Sequence, residues 1–298
     1  ERFRPGSTGR RTEKARSDGV IPGRETCVSR PSPLQGPIFK KKGRIHVTKI
    51  LLSGCNGKMG RMITACAAER CDCEIVAGLD INTESHAGFP VFGNPFNCGV
   101  EADVLVDFSN PGALKGILAY AREKKLPAVI ATTGLDDGQV EQLKEASQEI
   151  PIFFSANMSL GISLLMELAK KAAAVLGGEF DIEILEKHHN QKLDAPSGTA
   201  LMLAQAVSEG VDYTPQYVYE RHSVRKKREK QEIGISSIRG GTIVGEHEVI
   251  FAGHDEVITL SHTAMSKEIF AQGAINAALF LQNQPAGFYA MKDLVGAL

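Results

Sequence analysis

Lys49-Ile50-Leu51-Leu52-Ser53-Gly54-Cys55-Asn56-Gly57-Lys58-Met59-Gly60 is the stretch on which the fold turns. It begins as an apolar run of strand length, continues as a loop with glycines spaced G-x-x-G-x-x-G, and gives way to a helical pattern from Arg61 to Arg70. Glycines between a strand and a helix allow a tight turn. They also let a pyrophosphate approach the backbone N–H groups at the helix N-terminus. Any tight strand–helix turn has the same backbone needs, so the loop alone is a moderate signal. Asp80 strengthens it. It ends a second strand, Glu74-Ile75-Val76-Ala77-Gly78-Leu79, 20 residues after Gly60, where an acidic residue meets the adenosine ribose hydroxyls. An exposed carboxylate at a strand end is the bland alternative. Lys58 offers a cation to a 2′-phosphate, whereas Asp80 would repel one, and Ile81 and Asn82 after it add no charge. The expected cofactor is NADH, with NADPH also accepted.

Outward from this unit the pattern repeats. Val104-Leu105-Val106-Asp107-Phe108, Ala128-Val129-Ile130-Ala131 and Ile152-Phe153-Phe154 read as strands, with helices over 111–124 and 137–149. Strands alternating with helices imply an α/β unit, a doubly wound, Rossmann-like parallel sheet. Thr132-Thr133-Gly134 follows the fourth strand, where strand C-termini line a ligand crevice. These residues suit a nicotinamide and its ribose, and equally an ordinary hydroxyl-rich turn. After Asn157 the texture changes. A long helix over 162–176 precedes the strand Asp181-Ile182-Glu183-Ile184-Leu185, and a helix over 199–208 precedes strands at 233–238, 248–252 and 257–261. Strands without intervening helices predict a mixed or antiparallel sheet, hence a second, α+β domain. A last helix, 269–281, is apolar on one face and suits a return to the first domain. The predicted units are 47–157 with 268–298 for the dinucleotide, and 158–267 for substrate and oligomerisation.

A chain of 298 residues, 43% hydrophobic and 23% charged, can build two such cores. It has no run of 18 apolar residues and no apolar segment behind its basic N-terminus, so neither a membrane span nor a signal peptide is expected. The six cysteines show no zinc spacing and read as reduced thiols of a cytoplasmic protein. The net charge of −1 hides an asymmetry: residues 1–46 hold 12 Lys and Arg against 4 Asp and Glu, and the remainder 22 against 31. Pro5, Pro22, Pro31, Pro33 and Pro37 interrupt the basic segment, which favours a disordered or non-native leader over a nucleic-acid-binding arm. The first Met is Met59, inside the glycine loop, and Val47 follows a Lys- and Arg-rich stretch that back-translates to purines. A GTG start at Val47 is the corresponding hypothesis. The run from Arg225 to Lys230 reads as a solvated loop.

The second informative stretch is His188-His189-Asn190-Gln191-Lys192-Leu193-Asp194-Ala195-Pro196-Ser197-Gly198-Thr199. Ser197 suits a helix cap, and the N–H groups behind it, with the helix dipole, suit a carboxylate. Lys192 adds a positive charge for an anionic substrate. An imidazole titrates near neutrality, so His188 can deliver a proton where hydride addition leaves a carbanion-like centre. The alternatives are a metal-binding His pair, for which no third ligand is suitably spaced, and a merely solvated Lys.

These residues carry a resemblance. The glycine loop, Ala131-Thr132-Thr133-Gly134, Ala156-Asn157-Met158-Ser159, the His188–Thr199 stretch, Arg239-Gly240-Gly241, Val244-Gly245-Glu246-His247 and the segment 262–274 together resemble the dihydrodipicolinate reductase family. The resemblance runs from Lys49 to the C-terminus, and the His-His-x-x-Lys…Pro-Ser-Gly-Thr segment is its specific part. It implies a nucleotide-binding domain built from both ends of the chain, an inserted substrate domain and a homotetramer assembled through the substrate-domain sheets. It also implies NAD(P)H-dependent reduction of a small cyclic dicarboxylate in lysine biosynthesis. It makes His188 and Lys192 catalytic, and His189, Ser197, Gly198 and Thr199 substrate-binding. It places Gly54, Cys55, Asn56, Gly57, Lys58, Met59, Asp80, Ala131, Thr132, Thr133, Ser155, Ala156, Asn157 and Met158 along the cofactor. Ala131 stands where the family more often has Gly, and Met158 where an aromatic is common. Two rivals remain: another two-domain reductase such as an amino-acid dehydrogenase, and a nicotinamide-binding redox sensor with a DNA-binding arm. The first would need a site for a substrate ammonium, and the second leaves the His188–Thr199 cluster without a role.

Overall fold

A computed structural model describes residues 46–298, so the expectation of a leader over residues 1–46 falls almost entirely outside the described residues. The chain runs β1 (Thr48–Ser53), α1 (Lys58–Ala68), β2 (Cys73–Leu79), β3 (Val91–Phe92), β4 (Val104–Asp107), α2 (Leu114–Lys124), β5 (Ala128–Ile130), α3 (Asp137–Ala146) and β6 (Pro151–Phe154). It continues through α4 (Leu160–Leu176), β7 (Asp181–His188), α5 (Gly198–Ser208), β8 (Gln216–Val218), β9 (Glu232–Arg239), β10 (Gly245–Ala252) and β11 (Val257–Ala264). It ends with α6 (Glu268–Leu281), β12 (Gly287–Tyr289) and α7 (Met291–Ala297).

The first sheet has the order β12-β6-β5-β4-β1-β2-β3, and every neighbouring pair is parallel. Its strands feed two cores because successive side chains point to opposite faces. Ile50, Leu52, Val104 and Val106 pack with Ile63 of α1 and Ile275 of α6 on one face. Leu51 and Leu105 pack with Ile117 of α2 and Leu143 of α3 on the other. Helices therefore cover both faces, as the alternating pattern predicts. The second sheet, β11-β10-β7-β9-β8, is mixed: β10 runs antiparallel to both β7 and β11, whereas β7, β9 and β8 are parallel. Its inner face meets α4 and α5 through Ile182, Ile184, Ile233, Val249 and Phe251.

The chain leaves the first sheet after β6 and comes back with α6, whose Ala271, Ala274, Ile275 and Ala278 join the first core. The two crossings touch. A Cβ on Gly273 would lie 1.7 Å from the Met158 carbonyl oxygen, and one on Gly161 would lie 2.8 Å from the His262 ring.

Local chemistry adjusts several predicted bounds. The helix expected from residue 111 begins as a 3-10 turn, Pro111–Ala113, capped by Asn110. α3 starts at a capping box in which Asp136 and Gln139 bond each other's backbone N–H, and it ends at Ala146. Cys55, Cys66, Cys73 and Cys98 are free and buried. Cys71 is disulfide-bonded, which corrects the reduced-thiol expectation there, and Cys27 lies outside the described residues. Among the described residues no helix is long and apolar enough to cross a membrane.

Candidate active site

The first half of the site sits where the strand order reverses, between β1 and β4. Gly54 leaves β1 at φ +75, and a Cβ there would lie 2.6 Å from the Phe108 carbonyl oxygen at the end of β4. A Cβ on Gly60 would lie 2.2 Å from the Gly54 carbonyl oxygen, so the loop closes only with glycine at both positions. The N-cap of α1 is Gly57, and no side chain caps it, which leaves first-turn N–H groups for an anionic ligand. Cys55 turns inward: its Sγ would meet a Cβ on Gly78 at 2.5 Å, and burial pushes its thiol up to about 11. It offers the loop its backbone only. Met59 is partly buried against the first core, and Lys58 is exposed.

Asp80 stands just past β2, and its carboxylate accepts from Asn56 N at 3.0 Å and Asn82 N at 3.1 Å. Asn56 in turn donates to the carbonyls of Asn82 (2.6 Å) and Glu84 (2.9 Å). Asp80 thus braces the glycine loop as well as ending the strand. Arg61, one turn into α1, reaches the Asn56 carbonyl and the His86 ring, each at 3.1 Å.

Ala131 and Thr132 are buried, and Thr133 is exposed. Thr132 Oγ1 donates to Asp107 Oδ2 at 2.6 Å, tying the β5 turn to the buried end of β4, so its hydroxyl is already committed. Ser155 Oγ donates to the Asn157 carbonyl (2.7 Å), and the Asn157 side chain accepts from Ser159 N (2.9 Å). Ala156 is exposed, and Met158 is buried in the first core. Asn157 Nδ2 donates to Thr199 Oγ1 at 3.0 Å, which brings the expected cofactor-side and substrate-side residues together across the two sheets.

The second half is built on β7. Its alternating burial puts Ile182, Ile184, Glu186 and His188 on one buried face. The Glu186 carboxylate accepts from His188 Nδ1 (2.6 Å), from both Arg239 Nη atoms (2.8 and 2.7 Å) and from Ser197 N (3.1 Å). Burial alone would raise its pKa. The bonds from Arg239, His188, Ser237 and Ser197 outweigh burial and hold it at about 2. Ser197 caps α5 by accepting from Ala200 N (3.1 Å), and its hydroxyl also meets His247 Nε2 at 3.1 Å. Burial, with the neighbouring His188, pushes the His247 imidazole down to about 4. Its Nδ1 is buried without a partner among the described residues. Gly198 is exposed at the first position of α5, and His189 is partly buried. Lys192 lies in the same loop and pairs with Asp194 Oδ2 at 2.8 Å.

Glu186, Arg239, His247 and Asp107 join the candidate site although the sequence reading gave none of them a role; Arg239 and His247 stood only within the stretches that carried the resemblance. Strand parity could have revealed the first: a carboxylate two residues before His188 on an alternating strand must share its inward face. Arg239 and His247 come from strands remote in sequence and join the site through the sheet register, which sets His188 opposite Arg239 and Glu186 opposite His247, whereas Asp107 joins it through its bond from Thr132. Among the described residues no group of three His, Cys, Asp or Glu could hold a metal ion.

Comparison with known proteins places the described chain in one family. Residues 48–158 match the family model described as dihydrodipicolinate reductase, N-terminus, and residues 161–295 the one described as dihydrodipicolinate reductase, C-terminus. A protein of Clostridium tetani named 4-hydroxy-tetrahydrodipicolinate reductase is 51% identical over 251 residues, 84% of this chain and 98% of that one. A protein of the same name from Caldanaerobacter subterraneus subsp. tengcongensis is 52% identical over 247 residues, 83% of this chain and 98% of that one. Among solved structures, a dipicolinate-bound dihydrodipicolinate reductase from Paenisporosarcina sp. TG-14 superposes with a TM-score of 0.71 at 26% identity. It covers 83% of this chain and 99% of that one.

Proposed function

Because the chain belongs to the dihydrodipicolinate reductase family, we propose that it reduces dehydrated 4-hydroxy-tetrahydrodipicolinate to tetrahydrodipicolinate with a nicotinamide cofactor. One observation carries this reading. His188 is held by a buried carboxylate beside the Ser197-capped start of α5, and that helix is bonded through Thr199 to Asn157. A candidate proton donor, a helix N-terminus suited to an anion and the cofactor-side loop are thus linked by one chain of hydrogen bonds.

The residues fit a dinucleotide. Gly54 and Gly60 let the loop close on backbone contacts too tight for any Cβ, and α1 begins at Gly57 without a side-chain cap, as a loop that carries a pyrophosphate requires. The bound cofactor supplies a hydride. Gly54–Met59 hold the pyrophosphate, Asp80 meets the ribose, and Thr132, Thr133 and Ser155–Met158 line the nicotinamide end, largely by backbone. Lys192, His189, Ser197, Gly198 and Thr199 bind the substrate carboxylates, and His188 protonates the ring carbon left electron-rich by hydride addition. NADH is the preferred form and NADPH is accepted, because Asp80 disfavours a 2′-phosphate while Lys58 and Arg61 offset that repulsion. The enzyme acts in the cytoplasm as a homotetramer joined through the outer face of the mixed sheet, whose edge strand β11 leaves Val257 and Ile258 exposed. The test is oxidation of NADH and NADPH with substrate generated in situ by the preceding synthase. Turnover dependent on that synthase supports the assignment, and its absence with both cofactors overturns it.

A further inference from the structure

Glu186 has an arrangement that substrate binding alone does not require. Both its oxygens are engaged, on a side chain with no exposed surface, by groups from three segments. His188 lies two residues on along β7, Arg239 on β9 is its parallel-register partner, and Ser197 opens α5. His247 of β10 lies beside the pair, its ring centroid 5.2 Å from that of His188. Arg239 forks onto both carboxylate oxygens, and its Nη2 also donates to the Asp194 carbonyl at 2.6 Å, in the loop that carries Lys192. An ionised carboxylate can only accept hydrogen bonds, so the 2.6 Å contact requires a proton on His188 Nδ1. The opposite edge of the ring is left clear by a glycine: a Cβ on Gly245 would come within 3.1 Å of His188 Nε2.

We propose that Glu186, clamped by Arg239, is a positioning residue that fixes His188 with its proton on Nδ1 and leaves Nε2 as the atom that gives a proton to the substrate. The inference rests on the reductase reading above. Before transfer the ring carries protons on both nitrogens. The Nε2–H bond breaks, the proton forms the new C–H bond at the electron-rich ring carbon, and the Nδ1–H stays with Glu186. Arg239 keeps the carboxylate ionised throughout, so Glu186 holds the ring without competing for its proton. This matches the general logic by which a buried carboxylate selects an imidazole tautomer and steadies the imidazolium.

The experiment has two arms. Glu186→Gln should lower kcat by roughly 100-fold or more, by analogy with other imidazole-orienting carboxylates. It should leave the NADH dissociation constant unchanged, and Glu186→Asp, which restores an accepting carboxylate, should recover part of the lost kcat. Normal kcat in Glu186→Gln, or a Glu186→Asp variant no better than it, would overturn the proposal. Since Glu186→Gln strands Arg239 and can impair folding, the second arm uses the unsubstituted protein. Nitrogen-15 spectra of histidine-labelled enzyme, with His188 assigned by comparison with His188→Gln, should show the neutral ring protonated at Nδ1. An Nε2–H tautomer would sink the idea. That readout needs no turnover, so it separates failure of this inference from failure of the reductase assignment.

Discussion

At the scale of single residues, the proposed division of labour between His188 and Lys192 is the first thing to test. His188→Gln should cut turnover roughly 10²–10⁴-fold, the range supplied by general-acid catalysis, with NADH binding unchanged in a direct titration. Lys192→Ala should hurt both turnover and substrate affinity, since its charge acts on the bound dicarboxylate and on the charge that develops. Near-normal turnover in both variants would place the chemistry elsewhere. His247 gives a pH test. Burial, then His188, lowers its folded pKa to about 4 from 6.5, so the unfolded chain takes up a proton first as pH falls. Stability is complete above pH 6.5 and declines toward pH 4, by on the order of 2–3 kcal/mol. Glu186, held at about 2 against 4.5, adds a loss at still lower pH. Melting temperatures of His247→Gln should be flatter between pH 6.5 and 4 than those of the parent. An equally steep decline would refute this source of acid sensitivity. His188 and Lys192 stood out as candidates in the sequence because their chemistry is rare in so short a stretch. Glu186 was not, because a carboxylate at a strand end looks solvated until the strand's parity is counted.

At the scale of elements, the loop before α1 rests on one close approach. Gly60→Ala would set a methyl 2.2 Å from the Gly54 carbonyl oxygen and 2.6 Å from Cys55 Cα, both backbone atoms that cannot swing aside. The expected result is a loss of about 1–3 kcal/mol of stability together with weaker NADH binding, read by thermal melts and titration. An unaltered titration would show that the loop does not form the cofactor cradle. The long periodic elements, α4, α6 and β7 among them, were legible because their apolar spacing extends over several turns or pleats. β3, with two residues, and β8 and β12, with three, are too short to show a period, and they pair only because longer neighbours offer an edge. The glycine spacing and Asp80 were both readable. That Asp80 also carries the loop through Asn56 N was not, since that bond spans 24 residues.

At the scale of the whole molecule, the chain completes its first sheet only at its far end. β12 pairs with β6 at the sheet edge, and α7 buries Met291 and Leu294 in the first core. Ending the chain after Leu281 should therefore cost on the order of 3–6 kcal/mol from those two side chains alone. A melt matching the full chain would show the last turns to be ornamental. The return of α6 was foreseeable from its apolar face, whereas β12 and α7 lie in a tail whose pattern is too brief to read. The touching crossings have a mechanical consequence. Met158 lies against Gly273 and Gly161 against His262, so the outgoing and returning passages of the chain between the two sheets are locked side by side, like two threads crossed under one stitch. The Asn157–Thr199 bond, one residue from that stitch, ties α5 into the same seam, so a shift in one passage is felt at once by the other and by α5.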